Sequence, residues 1–316
     1  MRSVFSAFRT CVFDKRKRGV SLASLFSEHD FKFQKKYGQN FLTDVKIPRR
    51  IAMECTDYAF DSEQVPEKKA PYLMLEIGPG AGILTRELSD RFARVEAVEI
   101  DESLKQVLDD SLSGRDNVSV YFGDIMDVDL DAFIAERNTD RDGNRLEPCV
   151  CANLPYYITT PIIMKLLEQY GKFAFITVMV QKEVAQRLCS KPSDDNYGAI
   201  TAQINLYASV KRLFSVPSGC FFPRPKVDSA VIRIEPYKEP RFTKEQTAGA
   251  SKLIKAAFSQ RRKTLVNSLS GIFSDMSKTE LCDIVSETLG MGADVRGERL
   301  EAGDFVKLYE TLKDRM

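Results

Sequence analysis

The sequence predicts an α/β protein: a doubly wound, Rossmann-like sheet with an antiparallel end, followed by a small all-helical C-terminal domain. Between residues 71 and 235, short apolar runs alternate with helical patterns. Strands that alternate with helices indicate βαβ units and a mostly parallel sheet. After residue 241 the apolar residues recur with the helical period, which indicates a separate helical domain.

Five apolar runs predict the parallel strands, at residues 72–77, 95–100, 118–122, 149–152 and 173–180. The connecting helices are predicted after a glycine-rich turn as far as about Leu88, and over 102–112 and 161–169. Parallel strands need right-handed crossovers, so the sheet should be doubly wound. Two later runs, 203–214 and 228–234, are joined by a proline-rich stretch without a helix, which predicts the antiparallel end.

A polar linker bracketed by Pro236 and Pro240 separates the two predicted domains. The predicted limits are a basic N-terminal extension at 1–34, the α/β domain at 35–238 and the helical domain at 239–316.

The helical domain contains two pairs of residues typical of helix starts. Thr243 and Gln246 predict a capping box for a helix that continues to about Leu269. Ser277 and Glu280 predict a second capping box, and residues 304–313 form the last predicted helix.

Charge is unevenly distributed, although the net charge of the chain is only +1. Residues 1–50 carry twelve Lys/Arg against four Asp/Glu, whereas residues 61–150 carry ten against twenty-one. Residues 251–266 carry five basic residues and no acidic one. Basic ends around an acidic middle predict a polyanion held by the ends. The alternative is a basic tail with ordinary solvated helices.

The composition excludes several classes of site. Seven cysteines, an odd number spread through the chain, favour reduced thiols and a cytoplasmic setting. Cys149 and Cys151 lie in an apolar run, so we interpret them as part of a buried strand and predict no metal site. The only histidine, His29, leaves no His-based catalytic triad or His-rich metal site.

No apolar run approaches the roughly 20 residues that span a bilayer, so no membrane partner is predicted. The first 34 residues are rich in Arg and Ser, and we interpret them as an extension that contacts RNA. An organellar transit peptide is the alternative.

A glycine loop and two acids follow the first three strands in register. The loop EIGPGAG begins at Glu76, and its glycines, Gly78 and Gly80 among them, let the backbone approach a ligand closely. Its GxGxG spacing and leading acid favour a nucleoside–amino-acid ligand over a pyrophosphate. Glu99 ends the second strand, where a carboxylate can accept both ribose hydroxyls, and Asp124 ends the third, where an adenine amine would lie. The alternative, ordinary strand-end charges, does not explain three features in register.

The motif Asn153-Leu154-Pro155-Tyr156 follows the fourth strand, at the edge where α/β sheets place their chemistry. An exocyclic adenine amine is a poor nucleophile that needs acceptors for its N–H groups. The Asn153 side chain and the Leu154 carbonyl can supply them, Pro155 stiffens the turn, and Tyr156 offers a stacking face. The alternative is a proline turn with a buried tyrosine.

A second aromatic and a group of cations complete the predicted site. Phe222 could face the target base opposite Tyr156, with a core phenylalanine as the alternative. The residues predicted to meet phosphate are Arg224, Lys226, Arg261, Arg262 and Lys263.

Taken together, these motifs closely resemble the KsgA-type small-subunit rRNA adenine dimethyltransferases. The likeness runs from about Lys35 to Tyr309 and includes YGQNFL at 37–42, EIGPGAG, NLPY, FFPRPKVDSAVI and FSQRRKTL at 258–265. It implies a class I methyltransferase sheet, a helical rRNA-binding C-terminal domain and S-adenosylmethionine as the methyl donor. The donor's implied contacts are Asn40, Leu42, Gly78, Glu99, Asp124 and Asn153.

The resemblance also implies the substrate: two adjacent adenines near the 3′ end of the small-subunit rRNA, each methylated twice in an immature small subunit, by an enzyme that we expect to be a monomer. Three alternatives remain. An Erm-type large-subunit enzyme shares the Gln-Asn-Phe start but not SQRRKTL, and a DNA adenine methyltransferase usually has two prolines before the aromatic. A non-catalytic assembly factor would be expected to lose the motifs that are intact here.

Overall fold

A computed structural model describes Phe26, Glu28, His29, Phe31, Gln34 and residues 37–56, 68–169, 172–260 and 262–316. The chain forms two compact units. The first comprises Met1–Lys182 and Lys211–Ile234, and the second comprises Glu183–Val210 and Glu235–Met316.

Seven strands form one mixed sheet in the order β4-β3-β2-β5-β6-β9-β7, and the short strands β1 and β8 pair separately. The strands are β1 (Phe41–Leu42), β2 (Ala70–Ile77), β3 (Phe92–Glu99), β4 (Val118–Phe122), β5 (Glu147–Asn153), β6 (Ile176–Gln181), β7 (Ala208–Val216), β8 (Phe221–Phe222) and β9 (Ser229–Pro236). The first five strands in this order, β4, β3, β2, β5 and β6, are parallel to one another. Strand β9 runs antiparallel to β6. The predicted Rossmann-like sheet with an antiparallel end is therefore confirmed.

Helices connect the strands of the sheet. They are α1 (Lys46–Glu54), α2 (Ile83–Arg91), α3 (Lys105–Ser111), α4 (Leu130–Ala135), α5 (Thr159–Leu167), α6 (Lys182–Leu188) and α7 (Ala199–Ile204). The sequence patterns did not predict α1, α4, α6 or α7. The last three have only six or seven residues each, too few to show a clear helical period. None of the helices in the described part of the chain is long and apolar enough to cross a membrane.

The core of the first unit explains why its central strands are apolar along their whole length. Cys149 and Cys151 of β5 are completely buried, and they belong to the same apolar cluster as Met74 of β2 and Val95 of β3. A strand covered on both faces needs an unbroken apolar run instead of an alternating one. The interpretation of these cysteines as part of a buried strand is confirmed.

Two phenylalanines of the predicted N-terminal extension pack onto the first unit. Phe26 is buried, and its ring stacks on that of Phe31, with centroids 4.9 Å apart. Both rings contact Phe41, in a cluster that includes Leu104 and Leu108. Phe26 and Phe31 are thus part of this core, although a basic extension was predicted there. The rest of the extension lies largely outside the described residues.

The second unit is helical, with α8 (Lys244–Ser259), α9 (Leu265–Leu269), α10 (Lys278–Leu289) and α11 (Ala302–Leu312). Thr243 and Gln246 form the predicted capping box of α8. The prediction of one helix to Leu269 was wrong, because the chain leaves the helical conformation at Gln260. The Thr264 side chain then caps α9, the start of a new helix.

Residues 183–210 group with the C-terminal helices, although the sequence analysis placed them in the α/β domain. Tyr197 is completely buried, and its hydroxyl donates to the Leu300 carbonyl at 2.8 Å. The side chain of Gln203 donates to Ser251 Oγ at 3.0 Å. These residues are distant in sequence, so only the folded contacts assign them to the helical core.

Because α8 packs closely against α11, a larger side chain at Gly249 should destabilise the fold. A Cβ atom at Gly249 would collide with the ring of Tyr309, whose hydroxyl is tied to Glu245 at 3.0 Å. We therefore expect Gly249→Ala to lower the free energy of unfolding by about 1–3 kcal/mol through overpacking. Thermal and urea unfolding followed by circular dichroism measures the change.

The matched control is Gly303→Ala on α11, where a Cβ would meet no atom within 4 Å. Its free energy of unfolding should stay the same or rise by up to about 1 kcal/mol. Equal stability of the two variants would show that the α8–α11 contact is not tight.

Candidate active site

The glycine loop after β2 brings the backbone close to the aromatic wall made by Phe41. Gly80 has a φ of +59°, and a Cβ there would stand 3.1 Å from the Phe41 ring. Gly82 caps α2 with a φ of +79°, in the left-handed region that glycine adopts without strain. The loop backbone can therefore line the cleft without a side chain in between.

The carboxylate of Glu99 is fixed at the end of β3 and is only 5% exposed. Its Oε2 accepts the Gly80 N–H at 3.0 Å, and its Oε1 accepts the Asp101 N–H at 2.9 Å. Burial raises the pKa of Glu99, and the two backbone donors oppose that rise. The acid is therefore held in one orientation beside the glycine loop.

A second acid, Glu76, lies below the loop and is 1% exposed. Burial raises its pKa to about 8, the neighbouring Thr85 hydroxyl opposes that rise, and the negative charge of Glu99 adds to it. Its Oε2 has no hydrogen-bond partner among the described residues. A buried carboxyl oxygen without a partner at the wall of a cleft is suited to a cationic or hydrogen-bond-donating ligand.

The NLPY turn begins where β5 ends. The Asn153 side-chain nitrogen donates to the Asn40 carbonyl at 3.2 Å, which leaves the side-chain oxygen to accept from elsewhere. The Leu154 N–H donates to the Met179 carbonyl of β6 at 3.2 Å. The Pro155 carbonyl accepts the Thr159 hydroxyl at 3.0 Å, so the start of α5 closes the turn.

Tyr156 is held by its hydroxyl group. This hydroxyl hydrogen-bonds Ser229 Oγ at 2.7 Å, and Ser229 is fully buried at the start of β9. Burial raises the pKa of the Tyr156 phenol, so this group is neutral at physiological pH. Its ring is therefore an uncharged surface in a fixed position.

A single cleft in the first unit gathers most of the predicted site. The predicted residues that line it are Asn40, Leu42, Gly78, Gly80, Glu99, Asn153, Leu154, Pro155 and Tyr156. They come together because β3, β2 and β5 are adjacent and parallel, so their carboxyl ends share one edge.

Two predicted residues, Asp124 and Phe222, lie beside this lining. Asp124 follows β4, and the preceding Gly123 N–H donates to the Glu99 carbonyl at 2.8 Å. Its own carboxylate accepts the Met126 N–H at 2.8 Å. Phe222 pairs with Phe41 across β8 and β1, which places the two residues side by side. Their roles toward a ligand stay predictions.

The predicted phosphate-binding residues belong to two separate stretches. Arg224 and Lys226 are exposed in the loop after β8, where Arg224 Nε donates to Ser218 Oγ at 3.2 Å. Arg262 and Lys263 are exposed between α8 and α9. Arg261 lies outside the described residues.

Gln39 and its partner Asp101 were not predicted from the sequence. Gln39 lines the cleft, and its side chain donates to the buried Asp101 carboxylate at 2.6 Å. The available signal was the position of Asp101, two residues after Glu99 at the same strand end.

Comparisons with known proteins identify the family of this chain. The family model described as ribosomal RNA adenine dimethylase matches residues 30–314. Ribosomal RNA small subunit methyltransferase A of Lachnoclostridium phytofermentans is 40% identical over 293 residues, which is 92% of this chain and 96% of that protein. The protein of the same name from Bacillus licheniformis is 40% identical over 299 residues, 93% of this chain and 96% of its own.

Solved structures show the same fold. A dimethyladenosine transferase from Plasmodium falciparum superposes with a TM-score of 0.69 and 25% identity, over 87% of this chain and 98% of that one. The 23S rRNA methyltransferase ErmE superposes with a TM-score of 0.60 and 24% identity, over 86% of this chain and 99% of its own. With a family model that covers almost the whole chain and relatives at 40% identity, this protein belongs to the ribosomal RNA adenine dimethylase family.

Proposed function

We propose that this protein, as a monomer, transfers methyl groups from S-adenosylmethionine to the N6 amines of two adjacent adenines near the 3′ end of small-subunit rRNA, in an immature small ribosomal subunit. The observation that carries the proposal is the NLPY turn, which shares one cleft with Glu99 and the glycine loop. The relatives at 40% identity, named ribosomal RNA small subunit methyltransferase A, support the choice of substrate.

The cleft fits the donor's chemical groups. S-adenosylmethionine supplies an activated methyl group, and it carries an ammonium, a ribose and an adenine. The unpartnered Oε2 of Glu76 would accept the ammonium, and the fixed Glu99 carboxylate would accept the ribose hydroxyls. Asn40 and Leu42 also line the cleft, and Asp124, which follows β4, would receive the adenine amine. These residues would bind and orient the donor.

Asn153 and Leu154 would orient the target amine. The lone pair of an exocyclic amine is delocalised into its ring, and acceptors for both N–H groups turn that lone pair toward the methyl group. Asn153 Oδ1 is available because its amide nitrogen is already engaged by Asn40. Within the described chain no donor reaches the Leu154 carbonyl, which is therefore the second acceptor. Positioning of this kind removes much of the entropic part of the barrier.

Tyr156 would stack on the extruded base, because its ring is held by Ser229 and remains uncharged. Phe222 would support the other face from its place beside Phe41. The amine can lose its proton to solvent after transfer, so the site needs no general base. This agrees with a cleft that contains no histidine among its lining residues.

The test supplies labelled S-adenosylmethionine with immature small subunits, large-subunit RNA and duplex DNA in parallel. We expect labelled N6,N6-dimethyladenine in the small-subunit RNA alone. Asn153→Ala should lower the rate by about 100-fold, because the amine loses its main acceptor. Donor binding, measured by calorimetry, should persist in this variant.

The matched control is Asn138→Ala, an asparagine outside the cleft whose main-chain carbonyl makes the contact with Leu146. It should methylate at the wild-type rate. Label in the large-subunit RNA would replace the proposed substrate, and binding of the donor without any transfer would favour an assembly factor. Full activity of Asn153→Ala would remove the residue from the mechanism.

The raised pKa of Glu76 predicts a dependence of stability on pH. In the unfolded chain a glutamate titrates near 4.5, whereas Glu76 in the fold has a pKa of about 8. Between these values the folded state keeps a proton that the unfolded state has lost, so the stabilising contribution decreases as pH rises and is gone above 8. Glu76→Gln has no carboxyl to titrate at this position, so it does not lose this contribution. The Tm of the variant minus the Tm of the wild type should therefore increase between pH 6 and pH 8.5.

Ligand-free protein in calorimetric scans provides the measurement. Glu102→Gln is the control, because that side chain is exposed and its difference in Tm should stay constant over the same range. A pH-independent difference for Glu76→Gln would mean that the carboxyl is ionised in the empty cleft.

The exposed pair Arg262 and Lys263 should contribute to RNA affinity. No described acid forms an ion pair with either, which leaves both free to meet phosphate. Replacing both with glutamine should weaken binding to the small subunit and flatten the slope of log K against log salt by roughly 1–2. Filter binding at several salt concentrations measures the slope.

The control replaces Lys307 and Lys313 with glutamine. These lysines are already paired, with Asp304 at 3.3 Å and Glu310 at 2.9 Å. Their salt slope should equal that of the wild type. An unchanged slope for the Arg262 and Lys263 variant would assign those residues to an ordinary solvated turn.

A further inference from the structure

Asp101 is a buried acid to which the proposed chemistry assigns no role. It is 2% exposed and lies two residues beyond Glu99. Its Oδ1 accepts the Ser103 N–H at 3.1 Å, the Ser103 hydroxyl at 2.6 Å and the Gln34 side chain at 3.1 Å. Its Oδ2 accepts the Gln39 side chain at 2.6 Å. The two oxygens thus have different partners.

Gln39 connects this acid to the segment that walls the cleft. Its Oε1 accepts the Gln34 N–H at 3.0 Å, so both ends of the Gln39 amide are engaged. The next residue is Asn40, whose side chain donates to the Gly38 carbonyl at 2.9 Å. Segment 37–42 is therefore held against the end of β3 by the Asp101–Gln39 hydrogen bond.

The far end of this connection is the proposed amine acceptor. The Asn40 carbonyl accepts Asn153 Nδ2 at 3.2 Å. If the Asn153 amide were turned by half a rotation, its oxygen would face that carbonyl oxygen, which is repulsive. The position of the Asn40 carbonyl therefore decides which side of the amide presents oxygen to the target amine.

We propose that Asp101 is a positioning residue for methyl transfer: its hydrogen bond to Gln39 holds the Asn40 carbonyl where it orients the Asn153 amide. The inference rests on the proposed function. The acceptor is a buried carboxylate, and hydrogen bonds to charged groups are stronger than those between neutral groups. Loss of this bond lets segment 37–42 shift, and a small displacement of a reacting group is costly.

A purely structural role for Asp101 would use its other oxygen. Oδ1 caps the short helix at Glu102–Leu104 through the Ser103 N–H. Asp101→Asn keeps an oxygen in that place and puts an N–H donor where Oδ2 stood, facing the Gln39 donor. The substitution therefore disturbs the bond to Gln39 and leaves the cap in place.

The experiment exchanges the donor and the acceptor of the hydrogen bond between Gln39 and Asp101. In Gln39→Glu an oxygen replaces the donor, so two carboxylates face each other. In the double variant Asp101→Asn with Gln39→Glu, the new donor meets the new acceptor. We expect each single variant to lower kcat about tenfold, and the double variant to return within about threefold of the wild type, on immature small subunits with saturating donor.

The matched control for loss of an aspartate charge is Asp129→Asn. Asp129 caps α4 by accepting the N–H groups of Asp131 and Ala132, and asparagine caps helices equally well. This variant should keep the wild-type kcat. Thermal unfolding of all four variants shows whether each is folded.

Three results would overturn the inference: wild-type kcat in both single variants, failure of the double variant to recover, or a change confined to the KM for S-adenosylmethionine. The last would mean that segment 37–42 only holds the donor. Failure of the proposed function itself is seen separately, as absence of transfer by the wild-type protein.

Discussion

The parallel arrangement of β3, β2 and β5 is the constraint on which the site depends. Parallel strands end at the same edge of a sheet, so residues far apart in the chain meet there. In this chain that edge brings together the glycine loop, Glu99 and the turn at Asn153, which come from three different strands. From Leu73 to Ile77 the registers of β2 with its two neighbours are continuous, so the three strand ends are level. A slip of one strand would move its polar residue out of the cleft.

Burying carboxyl groups at this edge removes them from water, which is unfavourable. Hydrogen bonds offset this desolvation for some of the acids more than for others. Glu99 and Asp101 are buried but receive several hydrogen bonds from backbone and side-chain donors. Glu76 is equally buried, yet one of its oxygens has no partner among the described residues, and its pKa is raised to about 8. Buried polar atoms without a partner are few in native structures. The protein itself therefore orients Glu99 and Asp101, whereas a ligand would supply the missing hydrogen bond of Glu76.

Much of the fold and the cleft could be predicted from sequence, because both depend on local signals. Apolar runs located the strands, and polar residues at their ends located Glu99 and Asn153. What failed had two causes. Tyr197 joins the C-terminal core through Leu300, 103 positions later, and no local window of sequence contains that contact. The break at Gln260 is local, but the basic and apolar residues continue across it with the helical period, so the new cap at Thr264 was not recognised.

The contacts of Asn153 show why an asparagine can be the centre of this chemistry. An isolated amide has two orientations of similar energy, and only one would present oxygen to an amine. A neighbouring carbonyl makes the two unequal, since it attracts the N–H₂ group and repels the oxygen. That carbonyl belongs to Asn40, on a segment whose position depends on a buried acid at a different strand end. The proposed acceptor is therefore oriented by the fold before any substrate arrives, and preorganisation of this kind avoids reorganisation during a reaction. A site that works by orientation needs no group that changes its protonation state, which agrees with a single histidine that is paired with Asp110 and is not among the residues that line the cleft.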